Sequence, residues 1–171
     1  MSKINGVVVA KVKDRNSLGQ VLVKYDWLPG NAEGYWAPIA TTMSGSSRGS
    51  WFMPEKEDEV LVCFEHGDVQ HPYVVGFLWN GKQKPPSLDA SFDADPQRRM
   101  LKSVNGHMIE LYDPDVSSSG EAGYIRVRDR YGNEIVLGNG AITINGVGMI
   151  SIDAPVVVIN GRVVAPTASP I

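Results

Sequence analysis

From Asn105 onward the chain repeats one small phrase, a strand with room for a pair of aliphatic side chains on one face, followed by a turn built on glycine and asparagine. The strands are Met108-Ile109-Glu110-Leu111, Tyr124-Ile125-Arg126-Val127-Arg128, Glu134-Ile135-Val136-Leu137, Ala141-Ile142-Thr143-Ile144, Met149-Ile150-Ser151-Ile152 and Val156-Val157-Val158-Ile159. The turns fall at Asn105-Gly106, Tyr131-Gly132-Asn133, Gly138-Asn139-Gly140, Asn145-Gly146-Val147-Gly148 and Asn160-Gly161. Side chains two apart share a face of a strand, so Ile109/Leu111, Ile125/Val127, Ile135/Leu137, Ile142/Ile144 and Ile150/Ile152 each form an apolar pair. Polar residues such as Thr143 and Ser151 take the other face. Alternation this regular is the signature of a repeat.

A single chain gains little from such a pattern. Each aliphatic pair covers a narrow strip, and strands stacked from one chain leave both long edges of a sheet unpaired. Three copies wrapped about a common axis bury every pair and supply the edges with partners, so an intertwined trimeric β-helix, or β-prism, is expected over residues 101–171. A single-chain parallel β-helix is the alternative. The trimer interface is assigned to Ile109, Leu111, Ile125, Val127, Ile135, Leu137, Ile142, Ile144, Ile150 and Ile152.

The first half follows other rules. Ile4 to Val12 and Gln20 to Tyr25 read as strands around an Asp14 to Gly19 turn, with Trp27-Leu28-Pro29-Gly30 closing the second. Tyr35 to Ala40 is a short third strand, and Thr41 to Ser50 a polar loop of small residues. That loop lacks the Gly-Lys-Ser/Thr ending of a phosphate-binding loop and reads as surface. Glu59 to Glu65 and Pro72 to Trp79 are strands joined across Gly67-Asp68. This is the strand count of an OB barrel, expected over residues 1–81 in an all-β chain. Lys84-Pro85-Pro86-Ser87 cannot continue a central strand and Asp89 to Arg99 offers few apolar anchors, so residues 82–100 read as a linker.

The stretch Arg48 to Gly81 also carries a specific resemblance. Arg48-Gly49, Phe52, Pro54-Glu55, Asp58 to Val62, Phe64-Glu65, Gly67-Asp68, Pro72, Val74, Gly76 and Leu78 to Gly81 stand in an order similar to the OB domain of contractile-injection spikes, the phage baseplate assembly protein V family and the VgrG proteins of type VI secretion. Glu57 departs from that pattern, because the family usually has a glycine before Asp-Glu-Val. The second half continues the resemblance: Asn105 to Leu111 follows the form Asn-Gly-His-x-Ile-x-Leu that enters the family's trimeric β-helix, and Gly132 to Leu137 repeats part of it. The resemblance implies a homotrimeric spike at the centre of a baseplate, which pierces the target envelope on sheath contraction. It implies a hub or tube-initiator protein at the OB end and a PAAR-type tip protein at the C-terminal end. Some relatives carry a lysozyme domain between barrel and β-helix; only the linker occupies that place here.

Composition narrows the rest. The formal charge of -3 and pI of about 5.6 argue against a surface built to neutralise nucleic-acid phosphates. Cys63, the one cysteine, forms no intrachain disulfide and is expected as a buried, inert thiol. No signal peptide is expected, and nothing approaches the roughly 20 apolar residues of a membrane span. Assembly in the cytoplasm as part of a virion or injection particle follows.

No catalytic constellation emerges, and neither an enzyme activity nor a cofactor is expected. Glu65, His66, Asp68 and His71 match no standard metal spacing and read as turn residues. Glu55, Glu57, Asp58 and Glu59 crowd one turn and read as a solvated face rather than as a general acid and base. The chain has no histidine after His107, so the apical iron site of some phage spikes is not expected. Pro166 and Pro170 are read as limiting strand addition at the end. The alternative function is an OB-fold binding module for oligosaccharide or single-stranded nucleic acid, with Trp27, Trp36, Trp51 and Trp79 as stacking platforms, although these read more simply as core or interface. A β-helical polysaccharide depolymerase would require a carboxylate cluster that is not seen.

Overall fold

The computed structural model describes residues 3–28, 34–86, 96–115, 117, 120 and 122–164. The chain divides into two compact units, residues 1–85 and 86–171. The Pro29-Gly30 turn, Ser87, most of the Asp89 to Arg99 segment, and Pro166 and Pro170 lie outside the described residues.

In the first unit, β1 (Val7–Arg15) and β2 (Gln20–Lys24) form a hairpin whose turn is fixed by Asn16. The Asn16 Oδ1 accepts the backbone N–H groups of Leu18 and Gln20, both at 3.0 Å. β3 (Tyr35–Pro38) pairs with β2, and the Thr41 to Ser50 loop holds a small hairpin of β4 (Ser44–Gly45) and β5 (Arg48–Gly49). β6 (Glu59–Phe64) pairs with the other side of β1, and β7 (Pro72–Phe77) pairs with β6. The sheet order β3-β2-β1-β6-β7 returns on itself where Ile39 bridges Val74 in parallel and the Ala40 N–H donates to the Val74 carbonyl at 2.8 Å. Register shifts at Val12/Asp14 and at Leu61/Val62 supply the local bending that closure of a short sheet demands.

Valine makes the core. Val12, Val21, Val23, Val60, Val62 and Val74 are fully buried with Ala37, and Tyr25 packs edge-on against Phe64 with ring centroids 5.5 Å apart. The interior of so narrow a barrel suits compact β-branched side chains. The tryptophans stand elsewhere: Trp27, Trp36, Trp51 and Trp79 are all exposed, which corrects their reading as core. Cys63, on β6, is half-buried rather than buried.

The second unit is a five-stranded antiparallel sheet with neighbours in chain order. Its strands are β8 (Arg98–Lys102), β9 (Met108–Tyr112), β10 (Tyr124–Arg128), β11 (Glu134–Gly138) and β12 (Ala141–Asn145). β8 begins inside the stretch expected to be linker. β13 (Val158–Ile159) and β14 (Arg162–Val163) form a separate hairpin. The Asn-Gly turns take the conformation their residues favour: Asn139 and Gly140 have φ of 52° and 71°, Asn160 and Gly161 of 49° and 75°, the left-handed pair that a two-residue hairpin loop requires. Met149 to Ile152, expected as a strand, has no strand pairing among the described residues.

Candidate assembly surface

The pairing register of the second sheet decides what its faces carry. Ile109 stands opposite Val127, Val127 opposite Ile135, and Ile135 opposite Ile144. Leu111 stands opposite Ile125, Ile125 opposite Leu137, and Leu137 opposite Ile142. Two apolar rows therefore run across the strands on one face. β8 lengthens one of them, because Leu101 lies opposite Ile109, and ends the other with Arg99 opposite Leu111. Leu101 is the member that sequence reasoning misses; its place two residues after Arg99 on the same strand face is the available signal.

This aliphatic face is the open one. Its expected interface residues on β9 to β12 range from 41% exposed at Leu111 and Leu137 to 70% at Ile142. Ile150 and Ile152 are exposed as well, in the segment after β12, and belong to neither row. That segment is tied back by the Val147 N–H, which donates to Asn133 Oδ1 at 2.8 Å, while Asp129 Oδ1 accepts the Asn133 N–H at 2.9 Å. An exposed apolar surface of this continuity marks an interaction site.

The opposite face carries Arg98, Glu110, Arg126 and Glu134, all of them at least partly buried. Glu110 is 0% exposed. Its carboxylate accepts a short hydrogen bond from Arg98 Nη1, another from the Tyr124 hydroxyl at 3.4 Å, and lies 3.5 Å from Arg126 Nη1. Arg98 stacks on the Tyr112 ring at 4.3 Å and Arg126 on the Tyr124 ring at 4.5 Å. The aromatic faces accommodate the guanidinium planes while the arginines compensate the buried carboxylate. Sequence alternation identifies which residues share this face but not that Glu110 is buried on it.

Residues 4–79 match the family model of the type VI secretion system/phage-baseplate injector OB domain. The match spans the barrel unit, which is similar to this injector OB domain. A comparison with curated protein sequences finds no match. The injector OB domain supports a structural role in a baseplate, in assembly with other baseplate components.

Within the barrel, several acidic side chains hold local structure. Asp68 Oδ1 accepts the Gln70 N–H at 3.0 Å and its other oxygen lies 3.1 Å from His71 Nδ1; these contacts keep its carboxyl below the usual range. Glu65 accepts from the Tyr73 hydroxyl at 3.3 Å. Asp58 caps the Glu55 N–H at 2.8 Å. Among the described residues no three His, Cys, Asp or Glu side chains group as a metal site, and no helix is long and apolar enough to cross a membrane.

Proposed function

We propose that the chain is the homotrimeric central spike of a contractile phage tail or related injection system, driven into the target envelope when the sheath contracts. The observation that carries this reading is the pair of aliphatic rows on β9 to β12, open to solvent in one copy of a chain whose barrel is similar to the baseplate injector OB domain. Three such faces turned to a common axis make the dry interior of a β-prism. Each half-exposed isoleucine or leucine returned to apolar contact contributes about 1 kcal/mol, so the rows together outweigh the loss of freedom on association. Ile150, Ile152 and the hairpin of β13 and β14, which is too small to stand alone, then gain partners from neighbouring copies.

The mechanism on this reading is stiffness. Bending the prism breaks backbone hydrogen bonds and exposes the aliphatic interior in the same step. Residues 1–81 form the OB domain that meets the hub or tube-initiator protein, 82–100 connect, and 101–171 form the spike, with β8 joining its first face. A PAAR-type protein caps the C-terminal end, and the assembled particle carries the trimer to the envelope. Light scattering on the purified chain tests this: a mass of three chains that resists detergent and mild denaturant is expected, and a folded monomer would overturn it.

A further inference from the structure

A second feature lies in the barrel unit and takes no part in the spike reading. Between the β1–β2 turn and the loop that carries β4 and β5 lies a groove of about 790 Å³. This is within the range of small-ligand sites, roughly 300–1,000 Å³. Its walls include Leu18, Gly19, Thr42, Arg48, Trp51 and Phe77.

The groove is organised around one ring. Trp51 is 72% exposed, yet its indole edge is braced by the turn: a methyl group at Gly19 would come within 3.0 Å of the ring carbons. Gly19 has φ of 77°, so both its backbone and the neighbouring ring favour glycine. The loop behind the ring is fixed by the Ser50 N–H, which donates to the Met43 carbonyl at 2.9 Å, and by Thr41 Oγ1, which donates to the Ser50 carbonyl at 2.9 Å. Thr42 and Ser50 hydroxyls meet at 2.8 Å, which leaves further donor and acceptor capacity toward the groove. Among the described residues Arg48 is the one charged side chain in the lining, and its guanidinium has no hydrogen bond or ion pair with any of them.

We propose that this groove binds an acidic oligosaccharide, with a sugar ring stacked on Trp51 and a sugar carboxylate held by Arg48. The apolar face of a pyranose lies flat on an open indole, its hydroxyls match the threonine and serine hydroxyls, and an unpaired guanidinium is suited to a carboxylate through paired N–H donors. Single-stranded nucleic acid offers stacking too, but a single cation in the groove of a chain of formal charge -3 gives its successive phosphates nothing to follow.

Isothermal titration of the full chain with tetragalacturonate, chitotetraose and a thymidine oligonucleotide tests the assignment. Tetragalacturonate should saturate the protein, and Trp51→Ala should weaken it about tenfold, as the loss of one stacking platform does. Arg48→Gln, at an exposed position where folding is not at stake, should bring tetragalacturonate down to the level of chitotetraose. Trp79→Ala, which removes an exposed tryptophan outside the groove, should change nothing. Absence of saturation by tetragalacturonate up to about 10 mM, a Trp51→Ala or Arg48→Gln protein that binds like the original, or tighter binding of the oligonucleotide would each overturn the proposal.

Discussion

The Glu57 carboxylate accepts a hydrogen bond from Lys13 Nζ at 2.7 Å across the turn that leads into β6, although Glu57 itself is held at a φ of 73°. A left-handed backbone is costly for any residue with a Cβ, whereas glycine adopts it without strain. The turn therefore holds a conformation that suits glycine while the side chain takes a partner on β1. Glu57→Gly should melt at a higher temperature than the original at high salt, where the ion pair is screened, and Glu57→Ala at a lower one. The hydrogen bond from Lys13 holds the Glu57 carboxyl below its usual 4.5. A depressed carboxyl stabilises the fold above its unfolded value and loses that contribution as pH falls through the folded one, so the Glu57→Gly melting curve should be less sensitive to pH below about 4.5.

Ile144 sits opposite Ile135 at the last strand of one apolar row and is 56% exposed. In the proposed trimer, Ile144→Asp would place a carboxylate from every copy near one axis, where burial without a partner is prohibitive. The variant should run as a monomer in light scattering with the near-ultraviolet dichroism of its barrel unchanged. A soluble, detergent-resistant trimer would show that this face does not point inward.

Glu110 is the opposite case, a charge already buried and already compensated. Glu110→Ala removes the carboxylate that both Arg98 and Arg126 approach, while Arg126 keeps Glu134 at 3.7 Å, and should cost about 1.5–3 kcal/mol, read as a lowered denaturation midpoint. Arg99→Ala breaks only the exposed pair with Asp113 and should cost less than about 1 kcal/mol.

Tyr25 is 1% exposed, and its hydroxyl has no hydrogen-bond partner among the described residues; burial also pushes its pKa well up. Tyr25→Phe keeps the ring against Phe64 and removes the orphaned group. It should stabilise the barrel by about 1 kcal/mol in urea unfolding, where most core substitutions destabilise.

What is legible in the sequence is what is local in the fold. The aliphatic pairs and Asn-Gly turns specify β9 to β12 because each hairpin is made of neighbours: alternation selects the face and the turn sets the register. β8 is hidden because Arg98, Arg99 and Lys102 look like solvent-seeking linker, whereas Arg98 reaches Glu110 and Leu101 faces Ile109, contacts that exist only after the chain has doubled back. Met149 to Ile152 has the right pattern and no strand beside it among the described residues, since pattern describes a face and says nothing of the neighbour. The tryptophans mislead because size suggests depth; in a barrel this narrow, valine fits where an indole does not. The groove is illegible for a similar reason, as Trp51 and Gly19 are distant in sequence and meet only through the fold.

The chain-order sequence of β8 to β12 has a further consequence for growth. A sheet whose strands follow one another by short turns can be lengthened by duplicating one hairpin, such as β11 with β12, without disturbing any pairing already made. Each added strand advances the sheet by about 4.8 Å and adds one rung to both aliphatic rows. Reach is thus written as a count of rungs, a quantity that tandem duplication can change in whole steps while every existing contact is inherited intact.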